Sequence, residues 1–122
     1  MVEVICDTSF LFHIANHRIK NISNLDTEIG SLQFTVPQIV IDELQKLSED
    51  ELKNQDAKKT LDFIKNFKII LISGQIADDA IAEHVKNHGG IVATMDQELK
   101  TKIKNFGGSI LSLHNDRIVL ES

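Results

Sequence analysis

Apolar positions along this chain alternate between short continuous runs and helical spacing. Val2–Cys6 is too short for a helix and reads as a buried strand. Asp7-Thr8-Ser9 then supplies capping residue types, and Phe10, Leu11, Ile14 and Ala15 recur at helical intervals. Asn16–Gly30 is polar, with Ile22, Leu25 and Ile29 spaced as on a short helix. Phe34–Val36 predicts a brief strand, and Pro37 the start of a helix running to about Leu47, where its missing N–H costs nothing.

The charged stretch Glu49–Lys59 predicts surface, and Ala57, Leu61, Ile64 and Phe67 mark a further helix. Lys68–Ile72 reads as another buried strand, and Ser73-Gly74 as a turn into a helix from about Ile76 to His88, closed by Gly89-Gly90. Ile91–Ala93 predicts a strand, Asp96–Phe106 a helix ended by Gly107-Gly108, Ser109–Leu113 a strand, and Arg117–Leu120 a last one. Strands alternating with helices imply right-handed crossovers and a parallel sheet covered on both faces. The 122 residues suit one domain, spanning 1–122, with a single core and no repeat or linker.

Composition adds little until the acids are placed. The apolar fraction is 42%, and the six aromatics are all Phe, so the core rests on Ile, Leu and Val. A single cysteine, Cys6, excludes an internal disulfide; within an apolar strand it reads as a buried, inert thiol. No signal peptide or spanning segment is visible, since Glu3 and Asp7 interrupt the N-terminal apolar run, so a soluble, cytoplasmic protein without membrane contact is expected. The formal charge of −5 argues against a nucleic-acid ligand, but two divalent cations would bring it to about −1. Lysine runs at Lys58, Lys59, Lys65 and Lys68, and at Lys100, Lys102 and Lys104, fit either a solvated helix face or a phosphate-contacting one.

Helical phase separates three acids from the other Asp and Glu residues, and position at a strand end a fourth. Glu43 borders the stripe of Val40, Leu44 and Leu47, while Asp42 points away. Asp78 borders the stripe of Ala77, Ile81, His84, Val85 and His88, and Asp79 faces outward. Asp96 lies at the edge of Leu99, Ile103 and Phe106. Asp7 directly follows an apolar strand, at the sheet edge where open parallel sheets bind ligands. Taken singly, Asp7 and Asp96 also fit N-caps, and Glu43 and Asp78 fit ordinary amphipathic-edge carboxylates. Together they fit one end of one sheet, where four unpaired carboxylates would need divalent cations. His84 and His88 lack the Glu of a metalloprotease helix and read as helix residues packing or capping near Gly89. His13, His17 and His114 join no constellation, and the glycines form no phosphate-binding loop.

These acids and their neighbours resemble the motifs of PIN domains. Val4-Ile5-Cys6-Asp7-Thr8-Ser9-Phe10-Leu11 is similar to the opening strand and "DTN-x-L" turn, and Val40-Ile41-Asp42-Glu43-Leu44 to the second acidic motif. Ala77-Asp78-Asp79-Ala80-Ile81 resembles the third, and Ile91-Val92-Ala93-Thr94-Met95-Asp96-Gln97-Glu98-Leu99 the fourth, "V-x-T-x-D-x-x-L". Ser9 and Met95 stand where the family often has Asn, beside the acids and not in place of them. The cysteine pairs of a zinc ribbon are absent. The size suits VapC-like toxins and archaeal stand-alone PIN proteins.

The resemblance implies an α/β/α sandwich around a mostly parallel sheet of four to five strands. It also implies metal-dependent hydrolysis of RNA phosphodiesters, with Asp7, Glu43, Asp78 and Asp96 as Mg²⁺ or Mn²⁺ ligands and catalytic residues, and Asp7 and Asp96 central. Ser9 and Thr94 would be supporting hydroxyls, and Lys46 and Lys100 would hold substrate. A homodimer, and an antitoxin or ribosome-assembly partner, follow from the same resemblance. Two competing readings stay open: a PIN-like RNA- or protein-binding module without turnover, and a phosphoryl-transfer protein. Against the second, Ser9 stands where a haloacid hydrolase needs Asp, and neither the second acid nor the late-strand Lys of a receiver is clear.

Overall fold

The computed structural model describes residues 2–17, 32–114 and 117–121; the helix expected around Ile22, Leu25 and Ile29 lies outside them. The chain runs β1 (Val2–Cys6), α1 (Thr8–Asn16), β2 (Leu32–Pro37), α2 (Gln38–Leu47), α3 (Asn54–Phe63) and β3 (Lys68–Ile70). It continues with α4 (Ala77–His88), β4 (Ile91–Ala93), α5 (Gln97–Asn105), β5 (Ser109–His114) and β6 (Arg117–Glu121). The strands form one sheet in the order β3-β2-β1-β4-β5-β6. All neighbours are parallel except β5 and β6, which pair antiparallel from Ile110–Glu121 to His114–Arg117. The sheet has six strands against the expected four to five because this last strand turns straight back as a hairpin, which needs no crossover helix.

β1 lies beside β4, and Val4, Ile5 and Cys6 are all buried, as a strand covered on both faces requires. From β1 the chain winds outward through β2 and β3, then returns to β4 and winds the other way. Helices α1, α2 and α3 pack on one another, and α4 packs on α5. Right-handed crossovers in opposite directions put these two groups on opposite faces, giving three layers. Between them sit Phe10, Leu11, Val40, Leu44, Ile81, Val85, Val92, Leu99, Ile103 and Ile110, all essentially without solvent contact. Each such Leu, Ile or Phe contributes about 1.5–3 kcal/mol of burial.

Several expectations are corrected. Pro37 is the last residue of β2 and the cap of α2 (φ −62°, ψ 141°), one position earlier than a helical start. β3 ends at Ile70 and is no buried strand, since Ile69 is 52% exposed at the sheet's edge. On α4, Ala80 and Ala82 are buried while His84 is half-buried and His88 exposed, so small residues form much of the inner surface. Phe106 caps α5 at the surface with the Lys86 ammonium 5.6 Å from its ring centre. Gly108 is needed where β5 begins: a Cβ there would lie 2.7 Å from Val85 Cγ1 and 2.8 Å from Ile103 Cγ2. Among the described residues, no helix is long and apolar enough to cross a membrane.

Candidate active site

The order of the sheet reverses between β1 and β4, where an open α/β sheet leaves a crevice beyond its strand ends. Register makes the rest follow. Cys6 pairs with Ala93, so Asp7 and Thr94 leave neighbouring strands side by side, and the Asp7 N–H donates to the Ala93 carbonyl (3.1 Å).

Asp7 is 2% exposed and caps α1. Its Oδ1 accepts from the Phe10 N–H (2.8 Å) and the Ser9 hydroxyl (2.9 Å), and Thr94 donates to Oδ2. The Thr94 oxygen accepts in turn from the Asp96 N–H (3.0 Å), and Ser9 Oγ from the Met95 N–H (3.1 Å). The two expected supporting hydroxyls therefore join the β1 and β4 turns into one knot. Asp96 caps α5, accepting from the N–H groups of Glu98 (2.9 Å) and Leu99 (3.4 Å). The capping and the site readings of Asp7 and Asp96 are thus compatible: the cap bonds aim each carboxylate.

Glu43, on α2, accepts from the Thr8 hydroxyl at 2.6 Å. Asp78 lies in the first turn of α4. All four acids line one cavity of about 610 Å³, with Thr8, Ser9 and Met95. Its remaining wall comes from Phe12, His13, His17, Leu47, Lys53 and Asp56.

The electrostatics of this cavity are one-sided. Burial raises the pKa of Asp7 above its ordinary value, against the lowering effect of its bonds to Thr94, Phe10 and Ser9; the nearby Asp96 charge adds to the rise. Asp78 is pushed from an ordinary 3.8 up to about 6, by burial first, then by the charges of Asp7 and Asp96, a hydrogen bond with Asp96, and the charge of Glu43. Among the described residues no lysine or arginine forms an ion pair with any of the four. Among the described residues no three His, Cys, Asp or Glu side chains are gathered closely enough to hold a metal ion as they stand. Oxygen-only donors with unbalanced negative charge fit a hard divalent cation.

Other sequence expectations fare differently. Lys100 does not face the cavity: its ammonium is buried toward Glu121, 3.9 Å away, with Lys104 on the same carboxylate at 3.5 Å. Burial of an ammonium requires such a partner, and β6 supplies it. Lys46 is exposed in the last turn of α2 and is not part of the cavity wall, whereas Lys53 is. Sequence reasoning missed Thr8, whose position beside Asp7 was the available signal, and it missed His13 and His17. Cys6 is as expected: fully buried, with burial pushing its thiol far toward the neutral form.

Comparison with known proteins places this geometry. Ribonuclease VapC4 of Methanocaldococcus jannaschii is 36% identical over 117 aligned residues, covering 84% of this chain and 83% of that protein. The solved structure of the PIN domain endonuclease Utp24 superposes with a TM-score of 0.73 at 28% identity, covering 95% of this chain and 90% of that one. A domain of a functionally unknown protein from Methanocaldococcus jannaschii shares the fold at a TM-score of 0.60 and 15% identity, covering 93% and 92%. The family model for the PIN-like domain matches residues 4–116. The chain belongs to the PIN-like domain family.

Proposed function

We propose that the protein is a divalent-metal-dependent ribonuclease that hydrolyses RNA phosphodiester bonds at Asp7, Glu43, Asp78 and Asp96. The observation that carries the reading is the meeting of these carboxylates, from four separate elements, in one cavity without a basic ion-pair partner among the described residues. Its support from relatives is that VapC4 is a ribonuclease and Utp24 an endonuclease.

The four carboxylates would hold Mg²⁺ or Mn²⁺, which when bound lowers the pKa of a water and neutralises charge on the phosphate. The chain's own residues do the positioning. Three donors lock Asp7, two backbone N–H groups orient Asp96, and Thr8 holds Glu43. Asp78 hydrogen-bonds with Asp96, and with a pKa of about 6 it holds a proton on its carboxyl in mildly acidic solution. Lys53 stands where a substrate phosphate would pass. A cytoplasmic, homodimeric protein with a toxin-like or RNA-processing role, and an antitoxin or ribosome-assembly partner, completes the reading.

The test is cleavage of an end-labelled structured RNA with Mg²⁺ or Mn²⁺, comparing wild type with Asp7→Asn and Asp96→Asn. Metal-dependent cutting that falls about a hundredfold or more in both variants is expected. Cutting that is equal in the variants, or none in the wild type, overturns the proposal.

A further inference from the structure

The carboxylates line only part of the cavity. The rest comes largely from the far end of α1 and the facing ends of α2 and α3, and it includes a pair of imidazoles. His13, in the last turn of α1, and His17, the extended residue that caps its end, stack with ring centres 4.1 Å apart and planes within 11°. The His17 Nδ1 lies 3.0 Å from the His13 carbonyl, which can only accept, so Nδ1 carries the proton and the bond holds the ring on its neighbour. An exposed histidine is thereby fixed flat at the wall of the cavity, beside Phe12.

Along α1, a rise of about 1.5 Å per residue puts the His13 backbone about 9 Å beyond Asp7, and His17 follows the helix's last residue. Both rings line the same cavity as Asp7, at the end of α1 away from its Asp7 cap. From this we infer that the His13–His17 stack is a subsite for an unpaired nucleobase flanking the scissile phosphate, which adds a further layer to the stack. The chemistry is that of single-stranded RNA recognition, in which splayed bases lie on flat side chains, histidine included. A base already paired within a duplex has no free face to offer such a stack. The inference rests on the ribonuclease reading and assigns two residues of this chain to the RNA beside the cut.

The test is fluorescence anisotropy with a labelled single-stranded oligoadenylate, with Ca²⁺ in place of Mg²⁺ so that binding is read without turnover. Variants are His17→Ala and His17→Phe, each shown by circular dichroism to keep its fold. His17→Ala is expected to weaken binding about tenfold, the usual scale for losing one stacked base. His17→Phe, which keeps the flat ring and loses the ionisable nitrogen, is expected to stay within about threefold of wild type. Wild-type affinity in His17→Ala, equal loss in both variants, or no binding by wild type overturns the subsite. Metal-dependent, Asp7-dependent cleavage with no effect of His17→Ala sinks the stack alone. Ring-dependent binding without any cleavage in Mg²⁺ or Mn²⁺ keeps the stack and sinks the nuclease.

Discussion

Asp78→Asn should make the metal-free protein more stable. In the folded chain the Asp78 carboxyl titrates at about 6 against an ordinary 3.8, because burial and the charges of Asp7, Asp96 and Glu43 all oppose its ionisation. A folded pKa above the unfolded one means that the native state binds the proton more tightly. Its stabilising contribution is complete below about pH 4, declines as the pH rises, and is gone above about pH 6. The full gap corresponds to about 3 kcal/mol. Asp78 is only half-buried, so solvent screening reduces this to about 1 kcal/mol. Asparagine carries no charge to repel, so at about pH 8 with chelator the variant should melt roughly 3–5 °C above wild type. Near pH 4 the two should coincide, since both side chains are then neutral. Adding Mg²⁺ should reverse the order, because the wild type gains the binding energy of the better ligand set; at a hundred times Kd that is about 2.7 kcal/mol. Thermal melts of both proteins across this range, with and without metal, provide the assay. A variant no more stable than wild type at high pH, or a gain independent of pH, would refute the electrostatic reasoning.

Two further predictions concern the frame around the acids. Thr94→Val leaves an Asp7 oxygen and the Asp96 N–H without their shared hydroxyl, so denaturant unfolding should show a loss of about 1–3 kcal/mol, and calorimetry a metal affinity lower by about 10–100-fold. Gly108→Ala drives a methyl between Val85 and Ile103; urea titration should show a loss of about 1–3 kcal/mol, and a cost near zero would mean that α4 and α5 part easily.

Local pattern was enough wherever burial alone decides a residue's place. An apolar run followed by Asp7 marks the end of β1, and helical phase separates Glu43 from Asp42 and Asp78 from Asp79, because each question concerns one element and its core. Asp79 indeed faces outward, to Lys102 at 3.4 Å. Pattern fails where the answer lies on another segment. Lys100 adjoins Leu99 and turns toward the core side of α5, and its partner Glu121 belongs to a hairpin whose return direction nothing around Lys100 encodes. Thr8 meets Glu43 only because α1 and α2 pack together. The exposure of β3 escapes local pattern because edge position depends on strand order, which is a property of the whole sheet. The four-residue spacing of His13 and His17 was visible, but the cavity before them is built partly from α2 and α3.

The pairing of β1 with β4 also has a temporal consequence. A chain synthesised from its N-terminus presents Asp7 and Glu43 first, and Asp78 and Asp96 only after most of its length has emerged. Asp7 acquires its Thr94 bond, and Asp96 its place, only when β4 inserts beside β1, a contact between distant parts of the chain that forms slowly. A nascent or truncated chain lacking β4 has no Asp96 and leaves Asp7 without its Thr94 bond. Whatever chemistry the site performs begins only once β4 has paired with β1.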